Sequence, residues 1–170
     1  MIIKFLKELK LHLFFNSPTY NFIANNNFDH KIIFNPESLW KGNKTKGIKI
    51  LDGFLNYQKE TVYIGDNIWN KSHGSKQWIN YVNSFMWICD IRVVATNQAR
   101  VFLRKNIIEW IKKVDLFDTS VWDNTVLSKR IFYLLTNLSF FFETAEEKFQ
   151  KKFAQNLNKQ CVLLVKNLKK

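Results

Sequence analysis

The segment NQARVFLRKNIIEWIKKV, residues 97–114, decides the fold class. Its apolar residues recur at intervals of three and four positions: Ala99, Leu103, Ile107, Trp110, Ile111 and Val114. That spacing places them on one side of an α-helix with 3.6 residues per turn. The segment is therefore predicted to be an amphipathic helix whose apolar side packs against other helices.

Three further segments repeat this spacing and are predicted as helices at about 75–94, 123–142 and 145–169. Asp123 is expected to cap the start of the third helix of this block. Thr144, followed three residues later by Glu147, fits a capping box for the last one. Short connections between such helices favour antiparallel neighbours, so the fold class is mainly α.

The turn-forming residues divide the chain into a single domain of three parts. Both prolines and all five glycines lie between residues 18 and 74, and residues 75–170 contain neither. We expect an N-terminal helix over 1–16, a turn-rich extended segment over 17–74 and an array of about four helices over 75–170. Short extended or β segments are predicted within residues 30–66, at 31–34 (KIIF), 48–51 (IKIL) and 61–64 (TVYI). The apolar stripe of the first helix fits either docking on the core or contact with a membrane surface.

The composition excludes several classes of protein. Hydrophobic residues form 46% of the 170 residues, which is too many for a disordered polybasic tail. Two cysteines do not make a disulfide scaffold, and no apolar run reaches the roughly 18 residues of a membrane span. No signal-type segment opens the chain, so cytoplasmic residence is the default expectation. His12, His30 and His73 are widely separated, and no metal or cofactor is predicted.

The charge points to a polyanionic partner without selecting one. The formal net charge is +12, from 26 Lys and Arg against 14 Asp and Glu. A basic protein attracts nucleic acid, anionic lipid and acidic polysaccharide alike through long-range electrostatics. Nucleic acid is the less favoured partner, because the sequence contains no recognised nucleic-acid-binding motif.

A series of short motifs runs in order along most of the chain. It starts with Trp40-Lys41-Gly42-Asn43, Gly47 and Leu51-Asp52-Gly53-Phe54, and continues through Trp69 and Trp78. It ends with the segment 85–92 (FMWICDIR), Ala99-Arg100, Glu109-Trp110-Ile111, Trp122, Arg130-Ile131 and Gln160. Over about residues 38–168 this order resembles the N-terminal region of the heparinase II/III-like family of bacterial polysaccharide lyases. Where that family has an Arg before the Asp of the tryptophan-containing helix, this sequence has Cys89.

The resemblance implies both a fold and an activity. The fold is part of an (α/α) toroid of antiparallel helix pairs, followed in the family by a large β-sandwich. The activity is β-elimination of polysaccharides that contain uronic acid. The family's catalytic groups come from later helices and from the sandwich, so no catalytic residue is carried over to this sequence. The resemblance therefore implies an N-terminal fragment or split part that is not catalytic alone, with a second chain completing the toroid and sandwich as a partner. It also leaves a periplasmic location open.

Five residues are candidates for contact with an acidic sugar. Aromatic rings stack on sugar faces and arginine forms paired hydrogen bonds with carboxylates. On that chemistry the candidate substrate-binding residues are Trp87, Asp90, Arg92, Trp122 and Arg130. The competing interpretation is that the tryptophans pack in the core and that Asp90 forms an ion pair between helices with Arg92 or Arg130. Trp78 and Trp110 lie in apolar stripes and are assigned to the core, and Cys89 and Cys161 are interpreted as buried thiols rather than nucleophiles.

Two other function classes remain open at this point. The chain could be a non-catalytic binder of acidic polysaccharide, using basic and aromatic helix faces. It could also be a basic helical module that interacts with protein or nucleic acid, since the stripe at Leu164–Leu168 would leave an apolar helix face available to another chain.

Overall fold

A computed structural model describes residues 40–70, 74–113 and 120–168, together with isolated positions before residue 40. The described residues do not include the predicted segment 31–34, nor His12, His30 and His73. Of the predicted helix over 1–16 they include three isolated positions only.

The described part of the chain is mainly helical, with one small antiparallel sheet. The helices are α1 (Lys44–Leu51), α2 (Lys76–Asn83), α3 (Ile88–Arg92), α4 (Asn97–Lys113), α5 (Asn124–Thr136), α6 (Leu138–Phe141) and α7 (Glu147–Leu168). The strands are β1 (Phe54–Tyr57) and β2 (Glu60–Tyr63), and a short 3₁₀ helix follows at Ile68–Asn70. None of the helices in the described ranges combines the length and apolar character that a membrane span requires.

Helix α4 confirms the prediction over residues 97–113, and residue 114 lies outside the described residues. The helix packs against α3, α6, α7 and the 3₁₀ helix. Its predicted apolar side is buried, with Ala99, Leu103, Ile107 and Trp110 all within the core. Helices α5 and α7 run antiparallel, because Asn124 near the start of α5 contacts Asn167, whereas Arg130 further along contacts Gln160. Amphipathic spacing thus located α4 and α7, the two longest helices described, correctly.

The predicted helix at 75–94 is wrong as one continuous element. It is divided into α2 and α3 by a turn in which Phe85 has a positive φ of 58°. Phe85 and Trp87 are both fully buried, and residues two apart cannot lie on the same side of a continuous helix. The indole N–H of Trp87 donates to the carbonyl of Val82 at 3.1 Å, so the turn also satisfies a carbonyl near the end of α2.

The predicted helix at 123–142 is likewise interrupted, at the fully buried Asn137 between α5 and α6. Asp123 is confirmed as the cap of α5, since its carboxylate accepts the N–H of Thr125 at 2.9 Å. The capping box at Thr144 is wrong. Helix α7 begins at Glu147, and the Thr144 hydroxyl instead accepts a hydrogen bond from Arg104 at 2.7 Å.

The extended segment predicted at 48–51 is also wrong, because these residues form the second half of α1. The side chain of Asn43 caps this helix by accepting the N–H of Lys46 at 3.0 Å. Helix α1 packs on α3, and a Cβ added to Gly47 would lie 2.1 Å from the Asp90 carbonyl oxygen. Glycine therefore permits the two helix backbones to approach closely. Gly42 does the same just before α1, where a Cβ would lie 1.9 Å from the Cys89 carbonyl oxygen.

The segment predicted at 61–64 is confirmed as strand β2, which pairs with β1 across a two-residue turn. On β1, Leu55 is fully buried whereas Phe54 is exposed. The ring of Tyr57 stacks on Tyr81 of α2, with centroids 4.3 Å apart. Glu60 on β2 accepts the N–H of Ser75 at 3.0 Å, so the hairpin is tied to the start of α2.

Candidate functional site

Arg130 is the most densely connected of the five candidate residues. Its guanidinium is fully buried between the rings of Trp110 and Trp122, at 4.5 and 5.0 Å from their centroids. Nε donates to Oε1 of Gln160 at 2.6 Å, and Nη1 donates to the carbonyls of Asn83 and Val121 at 2.9 and 3.1 Å. Helix α5 is thereby joined to α2, to the turn before α5 and to α7.

Among the described residues, the groups that contact Arg130 are aromatic rings, backbone carbonyls and a side-chain amide, and none of them is acidic. Burial lowers the pKa of Arg130 to about 9, so the side chain still carries its charge at neutral pH. The two ring faces and three oxygen acceptors offset part of the desolvation of this charge. Arg130 and Trp122, which is itself buried, therefore stabilise the core, and the prediction that they line a sugar-binding groove is corrected.

Trp87 requires the same correction. Its side chain is fully buried, and its ring lies 5.4 Å from Phe85 and 6.5 Å from Trp69, centroid to centroid. No ring face is left for stacking on a sugar. The core interpretation is the correct one for this tryptophan, and also for Trp78 and Trp110.

Asp90 and Arg92 are the two candidate residues that keep partial access to solvent. The Asp90 carboxylate accepts the backbone N–H of Asn43 at 2.7 Å. Nη2 of Arg92 donates to the carbonyl of Trp40 at 3.0 Å. The predicted ion pair of Asp90 with Arg92 or Arg130 is wrong, since within the described ranges the ion pairs involve only Asp66 and Glu109 as acids.

Asp90 lies in a half-buried polar region formed by α2, α3 and α5. Desolvation raises the pKa of Asp90, and it also raises that of Tyr133 on α5. Burial and the nearby Asp90 raise the pKa of Tyr81 on α2 well above its usual value. These phenols are therefore protonated donors at neutral pH and not bases. The two tyrosines were not singled out as polar site residues, because Tyr81 occupies a core position in its helical stripe and Tyr133 carries no local motif.

The interpretation as a buried thiol is confirmed for Cys89, whereas Cys161 is only partly buried. Burial raises the pKa of Cys89 and of Cys161, so each is a thiol rather than a thiolate at neutral pH. The sulfur of Cys89 lies 3.7 Å from Nδ2 of Asn137. Within the part of the chain that the structure describes, no three His, Cys, Asp or Glu side chains converge in a way that could hold a metal ion.

A segment with four exposed lysines, which leads into and includes α1, lies beside Asp90 and Arg92, and we call it the basic strip. It consists of Lys41, Lys44, Lys46 and Lys49. No acidic residue occurs between residues 41 and 51, and α1 packs directly on α3. Lys46 and Lys49, three residues apart, share one side of α1, whereas Lys44 lies on another side. The basic strip therefore gives this segment a local positive charge that attracts carboxylate or sulfate groups, and Asp90 beside Lys46 offsets part of it. Sequence reasoning missed it because the lysines were counted only in the total charge.

Comparison with protein-family models, with curated proteins and with solved structures finds no match.

Proposed function

We propose that this chain is the N-terminal helical part, or a split part, of a heparinase II/III-like polysaccharide lyase and is not catalytic alone. In such an enzyme its helices would form the opening arc of an (α/α) toroid. The enzyme would cleave uronic-acid-containing polysaccharides by β-elimination, with the acid–base groups supplied by other helices and a β-sandwich.

The observation that carries the proposal is that motifs far apart in the sequence contact one another. Trp40 meets Arg92, Asn43 meets Asp90, and the backbone at Gly42 abuts Cys89. Arg130 likewise meets Gln160 across α5 and α7. Residues that carry a family resemblance are expected to pair in this way when they build a shared fold. The antiparallel pair α5 and α7 is also the kind of unit from which a toroid is assembled.

The basic strip supports an acidic polysaccharide as the ligand. Its four lysines lie on one short segment beside Arg92, and residues 41–51 contain no carboxylate, so the nearby Asp90 offsets only part of their charge. The same observation favours the alternative function, a non-catalytic binder of acidic polysaccharide. In the lyase, further helices and a β-sandwich complete the enzyme, whereas the binder would act without them.

A first experiment measures turnover and binding on the same purified protein. The chain is mixed with heparin, heparan sulfate and alginate, and absorbance of the unsaturated product is followed. We expect no product but salt-sensitive retention on an immobilised acidic polysaccharide. Product formation by the chain alone would contradict the assignment of the catalytic groups to other parts of the enzyme.

A second experiment locates the binding surface. The double variant Lys41→Glu/Lys44→Glu is expected to elute from the acidic column at lower salt than the unaltered chain. The matched control is Lys148→Glu/Lys151→Glu, which changes the net charge equally at two exposed positions of α7. Equal elution of the two variants would show that binding depends on total charge and not on the basic strip.

The lyase proposal and the binder alternative are separated by genomic context. If the chain is part of a lyase, the same or the adjacent reading frame encodes further helices and a large antiparallel β-sandwich. A neighbourhood without such a sequence would leave the binder as the function.

A further inference from the structure

An open pocket of about 300 Å³ lies where the end of α1, the end of β2 and the start of α4 meet. None of the five candidate residues lines it. Its volume is at the lower end of the roughly 300–1,000 Å³ that small-molecule sites occupy, which suits a ligand the size of one sugar ring.

The pocket has an aromatic wall. Tyr63 is 55% exposed, and its ring lies 5.1 Å from that of the exposed Phe54, centroid to centroid. Phe102 of α4 and Leu51 of α1 also line the pocket. An exposed ring beside apolar side chains provides a surface on which the C–H face of a pyranose can stack.

Two glycines with positive φ line the pocket near this wall, Gly53 at 91° and Gly65 at 60°. They lie close together, since a Cβ added to Gly53 would be 3.2 Å from Cα of Gly65 and 3.0 Å from the Tyr63 ring. A hydrogen bond of 2.7 Å from the N–H of Ile64 to the Gly53 carbonyl holds the two turns together. A Cβ added to Gly65 would meet no atom within 4 Å, so a side chain there would extend into open space.

The polar groups of the pocket are oxygen-rich. Asp52, Asp66 and Gln98 line it, and all three are exposed. Asp66 is paired with Lys105, so Asp52 gives the pocket a residual negative charge. Carboxylate and amide oxygens accept hydrogen bonds from sugar hydroxyls. A negatively charged pocket is unfavourable for a uronate, in contrast to the basic strip.

We propose that this pocket binds one neutral, hydroxyl-rich pyranose residue. The Tyr63 ring stacks on the sugar, and the side-chain oxygens of Asp52 and Gln98 accept hydrogen bonds from its hydroxyl groups. The inference is independent of the lyase proposal, because it involves neither the basic strip nor the candidate residues.

The test is a titration of the isotope-labelled full chain with glucose, galactose and mannose, followed by two-dimensional amide NMR. Glucuronate, which is negatively charged, and glucosamine, which is positively charged, are titrated for comparison. We expect neutral sugars to shift the amide signals of Gly53 and Gly65 with millimolar affinity. Shifts that are as large with glucuronate, shifts with glucosamine alone, or no shifts at these glycines would each overturn the proposal.

Two variants check the site. Gln98→Ala removes one of the proposed hydrogen-bond acceptors and is expected to weaken the binding that the shifts at Gly53 and Gly65 report. Its control is Gln77→Ala, at an exposed position of α2 that does not line the pocket. Tyr63→Ala removes the stacking ring and is expected to weaken binding at least tenfold. Unchanged affinity in a folded variant of either pocket residue would contradict the proposed binding mode.

Discussion

Replacing Arg130 by methionine tests how the helices are joined, because this one side chain links α5 to α2, α7 and the turn before α5. Arg130→Met keeps an unbranched apolar stem between the rings of Trp110 and Trp122 but removes the guanidinium. Three acceptors then lose their donor, namely Gln160 Oε1 and the carbonyls of Asn83 and Val121.

The size of the effect follows from two opposing contributions. Each buried acceptor that loses its donor is destabilising by about 1–3 kcal/mol. Loss of the two ring contacts adds about 1–2 kcal/mol each. Against this, burial lowers the pKa of Arg130 to about 9, which corresponds to a desolvation cost of about 5 kcal/mol that the methionine avoids. We expect a net loss of about 3 kcal/mol in the free energy of unfolding.

Urea denaturation followed by tryptophan fluorescence measures this loss, and thermal denaturation should show a fall in Tm of about 6–12 °C. Lys129→Met, at the exposed neighbouring position on α5, is the matched control and should change stability by less than about 0.5 kcal/mol. Arg130→Lys should be about as unstable as Arg130→Met, because lysine lacks the planar fork. A loss below about 1 kcal/mol for Arg130→Met would refute the reasoning, since desolvation would then cancel the hydrogen bonds.

Three further predictions concern other contacts. Gly47→Ala should destabilise the protein by about 2 kcal/mol in urea denaturation, because its Cβ collides with the Asp90 carbonyl. In an isolated helix the same change would be favourable by about 1 kcal/mol. The control Lys46→Ala should have little effect on stability. Glu60→Gln should be less stable than the unaltered chain above pH 4.5. Hydrogen bonds from the start of α2 lower the pKa of Glu60, so this difference should disappear as pH falls through that lowered value, and a difference that persists below it would contradict the assignment. Cys89 should react with iodoacetamide at pH 8 much more slowly in the native protein than in the urea-unfolded protein, because burial raises the pKa of its thiol. Equal rates in the two states would contradict the placement of Cys89 in the core.

The candidate site shows what sequence reasoning can and cannot locate. Aromatic rings and arginines were selected because their chemistry suits acidic sugars, and that chemistry is the same in a core as in a groove. Only burial distinguishes the two, and it assigns Trp87, Trp122 and Arg130 to the core. Asp90 and Arg92 are half-buried and lie beside the basic strip, of which the motifs had included only Lys41.

The sequence by itself determined the helical class and the position of the long helices. Spacing of three and four positions reports which side of a helix is apolar, and that information is local, as is the Asp123 cap of α5. Tertiary structure decided the rest. The β-branched segment 48–51 is helical because Asn43 caps it and Gly47 admits the backbone of α3. The partners of Arg130 include atoms 30 and 47 residues away in the chain. A local pattern cannot identify such partners, because the fold alone brings them within hydrogen-bonding distance.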